Sequence, residues 1–383
     1  MRKLFYIGVA LLACFELANV YFIMPLPFSQ RTRSVELAYA MHSWRWAARA
    51  LCGALIVAGA RPAWRVGGRR RWLAPAALAA LGAVAYAANV RMSADHMFLA
   101  PAALRMLPAG RSAVDTARLV VGVELGGEAR AYPVQFIGYH HQVRDTIAGR
   151  PVLVTYCTVC RTGRVFDPAV DGRAETFRLV GMDHFNAMLE DRSTGSWWRQ
   201  ANGEAVVGPR AGTVLREIPS RQVTLAQWLR MYPASLVMQA DPELRDRYAK
   251  GFDYETGKSR KRLTGTDTVS WKEKAWVVGL TVNGESKAYD WNRLRRERVI
   301  NDQVGGTPIV LALAGDGASF YAHERPGAAT RFALVGDSLV SAGGARTAYA
   351  LSGRGPAGTL APVTASQEFW HSWRTFHPGT RTY

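Results

Sequence analysis

The sequence reads LVVGVELGGEARAY at residues 119–132, and it reads WVVGLTVNGESKAY 157 residues later, at residues 276–289. Each stretch has two runs of strand-forming residues around a short turn, Gly126-Gly127 or Asn283-Gly284, which is typical of a β-hairpin. After each hairpin, a glycine turn leads into an apolar run that predicts a further strand. These matches predict that a mainly-β unit is present twice in the chain.

The duplication reaches the end of both copies. Gly208-Pro209 and Trp228 in the first copy are matched by Gly355-Pro356 and Trp373 in the second. One segment near each tryptophan has helical character, and the other local signals indicate strands. Because two copies are too few for a solenoid, they predict a duplicated lobe. The predicted helices lie at residues 225–231 and 366–376.

Three apolar stretches open the chain, and each approaches the roughly 20 residues that a helix needs to cross a bilayer. They lie at residues 4–24, 37–60 and 72–90. The connection at residues 61–71 contains five arginines and no acid, so we expect it and the N-terminus to be cytoplasmic. Three spans then place everything after about residue 95 on the outer side of the membrane.

Two other interpretations of the N-terminus stay open. Residues 11–14 read Leu-Leu-Ala-Cys, which loosely resembles a lipoprotein cleavage site, and the first apolar residues are compatible with a signal peptide. The apolar run continues past Cys14, which favours a membrane anchor. Within that anchor, Glu16 and Arg49 are candidates for a buried ion pair, and the alternative is that the Arg45 and Arg49 side chains extend to the outer interface.

We predict a membrane anchor followed by a mainly-β (α+β) extracytoplasmic domain made of two duplicated lobes. A basic, polar stretch between the copies is predicted to be a linker. The predicted divisions are a transmembrane anchor at residues 1–95, a first lobe at 110–240, a linker at 241–270 and a second, degenerate lobe at 271–383.

The composition excludes several classes of protein. The 383 residues are 49% hydrophobic and 20% charged, unlike a disordered or collagen-like chain. Four cysteines are too few for a disulfide-stapled scaffold. Half of the net charge of +18 lies in residues 1–72, which hold 11 Lys and Arg against two acids. We expect no nucleic acid as a partner, because the remaining charge forms no clustered basic helix.

A Cys-x-x-Cys pair occurs only in the first copy. Cys157 and Cys160 follow a predicted strand, whereas the second copy reads Ala-Leu-Ala-Gly-Asp-Gly at residues 312–317. Two thiolates at this spacing can bind one metal ion; Cys/His/Met sets suit copper(I), and Cys2His2 sets suit zinc. The residues that are candidates to complete such a site are His140, His141, His184 and Met188.

Two alternatives to a metal site stay open at this point. Cysteines after a strand are also typical of thiol–disulfide redox proteins, although Arg164-Val165-Phe166 indicates a strand where those proteins have a helix. In an oxidising compartment, the pair also forms a structural disulfide. The sequence contains no Walker loop, dinucleotide fingerprint or hydrolase motif. No catalytic residue is therefore assigned.

A string of motifs in the first copy matches a known pattern. Its members are Ala131-Tyr132-Pro133, His140, Asp145, Gly149-Arg150-Pro151-Val152, Thr155-Tyr156-Cys157, Cys160, Gly163, Phe166-Asp167, Asp171-Gly172, Phe177, Ser196-Trp197, Gln200 and Gly203-Glu204-Ala205. This string resembles a bacterial family catalogued as domain of unknown function 3179. The resemblance covers residues 110–240 well and the second copy only as a degenerate echo. It implies an extracytoplasmic domain in which Cys157, Cys160 and His140 are the family's cysteine pair and preceding histidine.

The chain departs from the commoner family pattern at two positions. Arg161 stands where glycine often follows the second cysteine, and His184 stands where asparagine is usual. The histidine adds a possible ligand.

These features predict a protein of the bacterial inner membrane with a cytoplasmic N-terminus and a periplasmic C-terminal domain. Its first lobe is expected to bind copper or zinc through Cys157, Cys160 and histidine. The alternatives are a thiol–disulfide redox protein and a non-catalytic interaction module with a structural disulfide. The expected partners are the membrane and another membrane or periplasmic protein.

Overall fold

The computed structural model describes residues 1–342 and 346–383. These residues divide into two compact units. The first unit comprises Met1–Leu99, Glu175–Arg199 and Glu204–Val214, and the second comprises Ala100–Ala174, Gln200–Gly203 and Leu215–Tyr383. The α-helices of the described residues are α1 Arg2–Tyr21, α2 Val35–Ser43, α3 Arg45–Trp64, α4 Leu73–Tyr86, α5 Ala94–Met97, α6 Val134–His140, α7 Leu225–Met231, α8 Trp291–Glu297 and α9 Trp370–Phe376.

Strands dominate the rest of the described chain. Those before residue 240 are β1 Met106–Pro108, β2 Leu119–Leu125, β3 Glu128–Pro133, β4 Gln142–Ile147, β5 Arg150–Cys157, β6 Thr162–Phe166, β7 Ala169–Val170, β8 Arg173–Ala174, β9 Phe177–Asp183, β10 Asn186–Asp191, β11 Trp197–Arg199, β12 Ala205–Val207, β13 Arg221–Thr224 and β14 Leu236–Met238. Those after it are β15 Trp276–Val282, β16 Glu285–Asp290, β17 Val299–Val304, β18 Thr307–Leu313, β19 Phe320–Glu324, β20 Arg331–Val335, β21 Ser338–Ala342, β22 Ala348–Ala350, β23 Arg354–Gly355, β24 Gly358–Thr359, β25 Ala365–Phe369 and β26 Arg381–Thr382.

Two helical segments of the first unit are long and apolar enough to cross a membrane. They are α1 and the run Gly68–Arg91, which includes α4. Helix α3 packs closely on α1, because a Cβ added to Gly59 would lie 2.3 Å from the backbone nitrogen of Phe5. Small residues at such a contact allow two helix backbones to approach, as they do in membrane proteins.

The prediction of a third span at residues 37–60 is not confirmed. The structure divides this segment into α2 and α3, with a break at Trp44. The guanidinium of Arg45 donates to the carbonyl of His42, and this bond satisfies a carbonyl at the end of α2. Arg45 and Arg49 in its first turns also make α3 less apolar than the two candidate spans.

Of the two interpretations that the sequence left open, the structure shows the ion pair between Glu16 and Arg49. Arg49 Nε lies 2.7 Å from Glu16 Oε1, and its Nη2 lies 3.0 Å from Oε2. Asn89 completes the cluster, since its Nδ2 donates to Glu16 Oε2 at 2.8 Å and its Oδ1 accepts from Arg49 at 2.7 Å. The cluster therefore joins α1, α3 and the run Gly68–Arg91 through charge-assisted hydrogen bonds.

The first unit also contains a four-stranded sheet, in the order β12-β11-β10-β9. Val35 and Ala38 of α2 pack in one apolar cluster with Val180 and Trp197 of this sheet. The hydrophobic face of α2 is thus covered by sheet residues.

In the second unit, both copies form the same elements in the same order. The predicted hairpins are confirmed: β2 pairs with β3 and β15 pairs with β16, with Val121 opposite Tyr132 and Val278 opposite Tyr289. A short helix follows each hairpin, then a three-stranded sheet, β4-β5-β6 or β17-β18-β19. Strand β13 or β25 then joins the hairpin antiparallel, and β14 or β26 joins it parallel.

The helix predictions succeed in part. Helix α7 matches the prediction at residues 225–231, but α9 begins at Trp370 because Ala365–Phe369 pairs with β15 as a strand. Helices α6 and α8, of seven residues each, were not predicted. A helix of two turns shows too little of the 3.6-residue pattern to stand out from a strand-rich background.

Each copy packs a tryptophan on a strand glycine, and the two copies contact each other through equivalent glutamines. A Cβ added to Gly122 would lie 2.3 Å from the Trp228 ring, and one added to Gly279 would lie 2.2 Å from the Trp373 ring. Gln222 on β13 and Gln367 on β25 occupy equivalent positions, and Gln222 Nε2 donates to Gln367 Oε1 at 3.0 Å. The domain is mainly β, with several small sheets. Its division into two lobes stays a prediction, since the hairpins of both copies belong to one compact unit, whereas Glu175–Arg199 and Glu204–Val214 of the first copy belong to the other.

The predicted linker at residues 241–270 has little regular structure beyond a 3-10 helix at Pro242–Arg247. It packs against the first copy, because Glu255 forms an ion pair with Arg118 at 2.7 Å. Tyr248 contributes a second contact through its hydroxyl, which lies 2.8 Å from His140 Nε2. This stretch therefore contributes side chains to the surroundings of the first copy.

Candidate functional site

The Cys-x-x-Cys pair lies in the turn between β5 and β6. β5 ends at Cys157, which lies opposite Thr162 at the start of β6. Cys157 and Cys160 are both 0% exposed, and no disulfide joins them in the structure. The strand predicted after the pair is confirmed as β6, so these cysteines do not precede the helix of a thioredoxin-like arrangement.

Arg161 follows the second cysteine and has a φ of +59°, in the left-handed region that favours glycine. Its side chain is fully buried, and its guanidinium donates to Gln367 Oε1 at 3.0 Å and to the carbonyls of Tyr254 at 2.9 Å and Glu255 at 3.1 Å. The guanidinium also lies 3.7 Å from the ring centre of Trp276. Because all three acceptors are neutral, these bonds leave a buried positive charge on the residue that follows Cys160.

The carboxylate of Glu255 is bound by other groups. It accepts from Arg118 Nη1 at 2.7 Å and from the Leu119 N–H at 2.6 Å. Burial raises the pKa of Glu255, and these two bonds oppose that effect only in part. Two buried cations, Arg118 and Arg161, therefore share one buried acid. Such surroundings favour a negatively charged group at the neighbouring cysteines.

Two tyrosine hydroxyls lie on the same side of the turn. Tyr254 donates to the Tyr156 hydroxyl at 3.2 Å and contacts the Thr158 carbonyl oxygen at 3.1 Å. Burial raises the pKa of both phenols, so both are neutral hydrogen-bonding groups at pH 7. They supply no further negative charge to the site.

The second copy packs directly on the cysteine turn. The Phe369 N–H donates to the Cys160 carbonyl at 2.9 Å, and His371 Nε2 lies 3.1 Å from the Val159 carbonyl oxygen. Burial lowers the pKa of His371. Sequence reasoning missed His371, because its contact with the turn arises only from the packing of the two copies. For Arg161 there was a signal, namely its departure from glycine.

His140 and His141 lie at the end of α6. His140 Nε2 lies 2.8 Å from the Tyr248 hydroxyl, and His141 Nδ1 lies 2.8 Å from the Tyr156 carbonyl oxygen. Burial lowers the pKa of His141 to about 4, so the ring is neutral at pH 7 and its Nδ1–H donates to that carbonyl. Since Tyr156 precedes Cys157 on β5, His141 supports the strand that carries the pair.

His184 and Met188 lie on the β9–β10 hairpin of the first unit, whereas Cys157 and Cys160 belong to the second. His184 Nδ1 lies 2.6 Å from Asp183 Oδ1, and Met188 is buried in an apolar cluster. Among residues 1–342 and 346–383, no three His, Cys, Asp or Glu side chains are grouped so as to hold one metal ion. Of the predicted ligands, Cys157 and Cys160 lie together in one turn of the second unit.

The family described as Protein of unknown function (DUF3179) matches residues 103–380. The chain belongs to this family. The match begins after the N-terminal helices and includes the second copy, so that copy is part of the family domain and not only the degenerate echo expected from the sequence. The comparisons with curated proteins and with solved structures find no match.

The conformation of Arg161 is one that glycine adopts readily. A positive φ costs a non-glycine residue roughly 1–2 kcal/mol, which agrees with the expectation from the sequence that glycine is common at this position. Here the cost is offset by the three hydrogen bonds and the Trp276 contact of the Arg161 side chain. This member therefore has a fixed cation where glycine provides none.

Proposed function

We propose that this protein is a membrane-anchored, periplasm-facing protein in which Cys157 and Cys160 bind one copper(I) ion as thiolates. The observation that supports this most is the buried positive charge of Arg161, whose hydrogen bonds all go to neutral oxygens. Two thiolates on one copper(I) ion have a net charge of −1. A buried charge is stable only when it is paired, and the ion and the guanidinium would neutralise each other.

The supply of ligands favours copper(I) over zinc. Structural zinc takes four ligands, whereas copper(I) is a soft ion that two thiolates satisfy. His140 and His141 each use a ring nitrogen in a hydrogen bond, to Tyr248 and to the Tyr156 carbonyl. We therefore assign the ion to the two sulfurs and assign the histidines to the support of the surrounding backbone.

Burial of the pair argues against the thiol oxidoreductase as the first choice. Thiol–disulfide exchange requires a second sulfur to approach one of the cysteines directly. Cys157 and Cys160 are both 0% exposed, so a partner protein reaches them only after the turn opens. An ion acquired during folding needs no such access and stays in the closed site. The redox protein and the structural disulfide are the outcomes from which the experiment must distinguish a copper site.

We further propose that α1, α3 and the run Gly68–Arg91 cross the bacterial inner membrane side by side. Phe5 near the start of α1 packs with Ala63 near the end of α3, and Glu16 bonds Arg49 near the start of α3. Helix α3 thus runs back along α1 with a similar length. Glu16, Arg49 and Asn89 are bonded to one another inside the bundle, which lowers their cost in lipid.

This arrangement puts the arginine-rich connection at residues 61–71 at the same end as the N-terminus, on the cytoplasmic side. Residues after about 95 are then periplasmic, where another membrane or periplasmic protein is the expected partner. A cysteine introduced as Arg216→Cys should react with a membrane-impermeant maleimide in spheroplasts, and one introduced as Arg65→Cys should react only after lysis. The opposite labelling pattern would reject this orientation.

The copper proposal is tested by metal content together with a count of reactive thiols. The full chain is expressed with copper in the medium and purified in detergent without chelator. We expect about one copper per chain, with Cys157 and Cys160 protected from alkylation until the ion is removed. The double variant Cys157→Ser with Cys160→Ser should lose the copper.

The matched control replaces the other two cysteines, Cys14 and Cys52, by serine. This control should keep its copper, because both residues lie in the N-terminal helices. Equal copper in the two double variants would refute the proposed site. A chain with no metal and no thiol at positions 157 and 160 even after unfolding has a disulfide, and its reduction potential then separates a redox pair from a structural bridge.

A further inference from the structure

Two neighbouring cavities of the second unit meet at Arg221. Their volumes are about 230 Å³ and about 320 Å³, and both are lined by Arg221, Tyr232 and Tyr321. The rings of Trp228 and Phe320 add to the wall of the smaller cavity. Sites for small molecules are typically roughly 300–1,000 Å³ in volume and are lined by aromatic side chains with a few polar groups. The larger cavity falls within this range and the smaller one lies just below it, and both have this aromatic and polar lining.

Arg221 brings a positive charge to the cavities without a counter-ion. In the described part of the chain, no carboxylate lies within ion-pair distance of the Arg221 guanidinium. The guanidinium carbon lies 5.8 Å from the ring centre of Tyr321. Burial lowers the pKa of Arg221, and Tyr232 and Tyr321 are the groups that oppose this effect. A partly buried guanidinium in this state binds a carboxylate well, because two parallel N–H groups match its two oxygens.

The acids that line the cavities are bound to other groups. Glu124 Oε1 accepts from the Gly127 N–H at 2.9 Å in the β2–β3 turn. Asp337 Oδ2 accepts from Arg230 Nη1 at 3.1 Å. Neither carboxylate neutralises Arg221, so a negatively charged ligand can serve as the counter-ion of its guanidinium.

The duplication gives the domain a second place equivalent to the one around Arg221 and Tyr321, and there the fold neutralises a buried cation. Arg221 lies opposite Gly122 as Ser366 lies opposite Gly279, and Tyr321 is equivalent to Arg164 by strand register. Arg164 forms ion pairs at 2.7 Å with Glu368 and at 3.1 Å with Glu217. At this equivalent place the arginine comes from the other strand and is neutralised by protein carboxylates, whereas Arg221 is not.

We propose that these cavities bind a small organic anion, a carboxylate attached to a flat apolar body. The guanidinium of Arg221 binds the carboxylate, and the rings of Trp228, Tyr232 and Tyr321 pack against the body. This site is separate from the cysteine turn and does not depend on a metal ion there.

The test uses the full chain in detergent and titrates it with benzoate, benzyl alcohol and sulfate in a calorimeter. Benzoate has both the carboxylate and the flat ring, while the other two probes each lack one of them. We expect benzoate to bind and the variant Arg221→Gln to bind it about tenfold to a hundredfold more weakly. The control Arg216→Gln, which removes an exposed arginine paired with Asp167, should bind benzoate as the wild type does.

Three results would overturn the proposal: no binding of benzoate, equal binding by Arg221→Gln, or equal binding of benzyl alcohol. Sulfate that binds as tightly as benzoate would reject the apolar part of the site. If Arg221→Gln fails to fold, Arg221→Lys keeps the charge but loses the two parallel donors. That variant should bind benzoate more weakly than the wild type, and unchanged binding would also count against the proposal.

Discussion

The two copies of the second unit share a framework of matching contacts. The Tyr132 hydroxyl donates to Asp145 at 2.6 Å, and the Tyr289 hydroxyl donates to Asp302 at 2.8 Å. The tryptophan that covers a strand glycine is also present in both. Such contacts recur because the hairpin, the helix and the following sheet need them wherever this arrangement is built.

The copies differ at the turn that follows β5 or β18. In the second copy, Asp316 holds the turn by accepting from the N–H groups of Ala318 and Ser319, both at 2.9 Å. In the first copy, the turn contains Cys157, Cys160 and the buried Arg161. A plain carboxylate is therefore enough to close this kind of turn. The sulfurs and the buried cation are additions to the framework, which indicates a role beyond folding.

His141 and Arg298 occupy equivalent positions and differ in residue type, but they make the same contact in both copies. His141 Nδ1 bonds the Tyr156 carbonyl at 2.8 Å, and Arg298 Nη2 bonds the equivalent Leu313 carbonyl at 2.9 Å. Both residues also have a positive φ at the end of a helix. Different side chains thus make the same contact. This equivalence assigns His141 to the shared framework and separates it from the cysteines.

The largest effect is expected where the framework is tightest. Gly122→Ala and Gly279→Ala each place a methyl group against a tryptophan ring that has no room for it. Each should lower the free energy of unfolding by about 3 kcal/mol, and the two losses should be similar. Urea unfolding of the full chain measures both. A clearly smaller loss in one copy would show that the two frameworks are not equivalent in energy.

A smaller effect is expected at Arg161, the buried cation that follows Cys160 in the turn of the first copy. Arg161→Gln removes the charge, so copper(I) should bind about tenfold more weakly, which corresponds to about 1.4 kcal/mol. Competition with a copper(I) chelator measures this affinity. The control is Arg325→Gln in the second copy, since Arg325 is also buried and also donates to carbonyl oxygens. Equal weakening in both variants would remove the special role of Arg161.

The smallest effect at neutral pH is expected at His141. His141→Gln should cost about 1 kcal/mol at pH 7 through the lost bond to the Tyr156 carbonyl, without loss of copper. Burial lowers the pKa of His141 from 6.5 to about 4, so the unfolded chain takes up the proton first. The wild type then loses stability as the pH falls from 6.5 towards 4.

The glutamine variant lacks this titration, so the difference between the two proteins should shrink as the pH falls and then change sign. Urea unfolding at pH 7, 5.5 and 4.5 follows the difference. A constant difference over this range would mean that His141 is not buried as a neutral ring. Loss of copper in His141→Gln at pH 7 would move this histidine from the framework to the site.

The sequence predicted much of the framework, because hairpins and apolar strands leave local signals. The turns at Gly126-Gly127 and Asn283-Gly284 marked both hairpins, and the apolar runs marked β5 and β18. The short helices α6 and α8 escaped, since seven residues display two turns of a pattern at most. Residues 365–369 were predicted as helix for a related reason, because pairing with β15 is a long-range contact that local sequence does not reveal.

Less of the candidate site was predictable. Cys157 and Cys160 were identified from their spacing, and the deviation at Arg161 was noticed. Of the four proposed additional ligands, only His140 had support from the family resemblance beyond its residue type, and two of the others, His184 and Met188, belong to the other compact unit. Arg221 gave no signal at all, because a lone arginine in a strand is ordinary. Its significance depends on which carboxylates the fold brings near it.

The hydrogen bond between Gln222 and Gln367 joins equivalent residues of the two copies. Equivalent amides that face each other allow two orientations, in which either glutamine donates and the other accepts. Arg161 also donates to Gln367 Oε1, which holds that oxygen in the accepting position and leaves Gln222 to donate. Arg161, which follows Cys160 in the sequence, thereby makes the two equivalent glutamines unequal. It selects the arrangement in which Gln222 donates and Gln367 accepts.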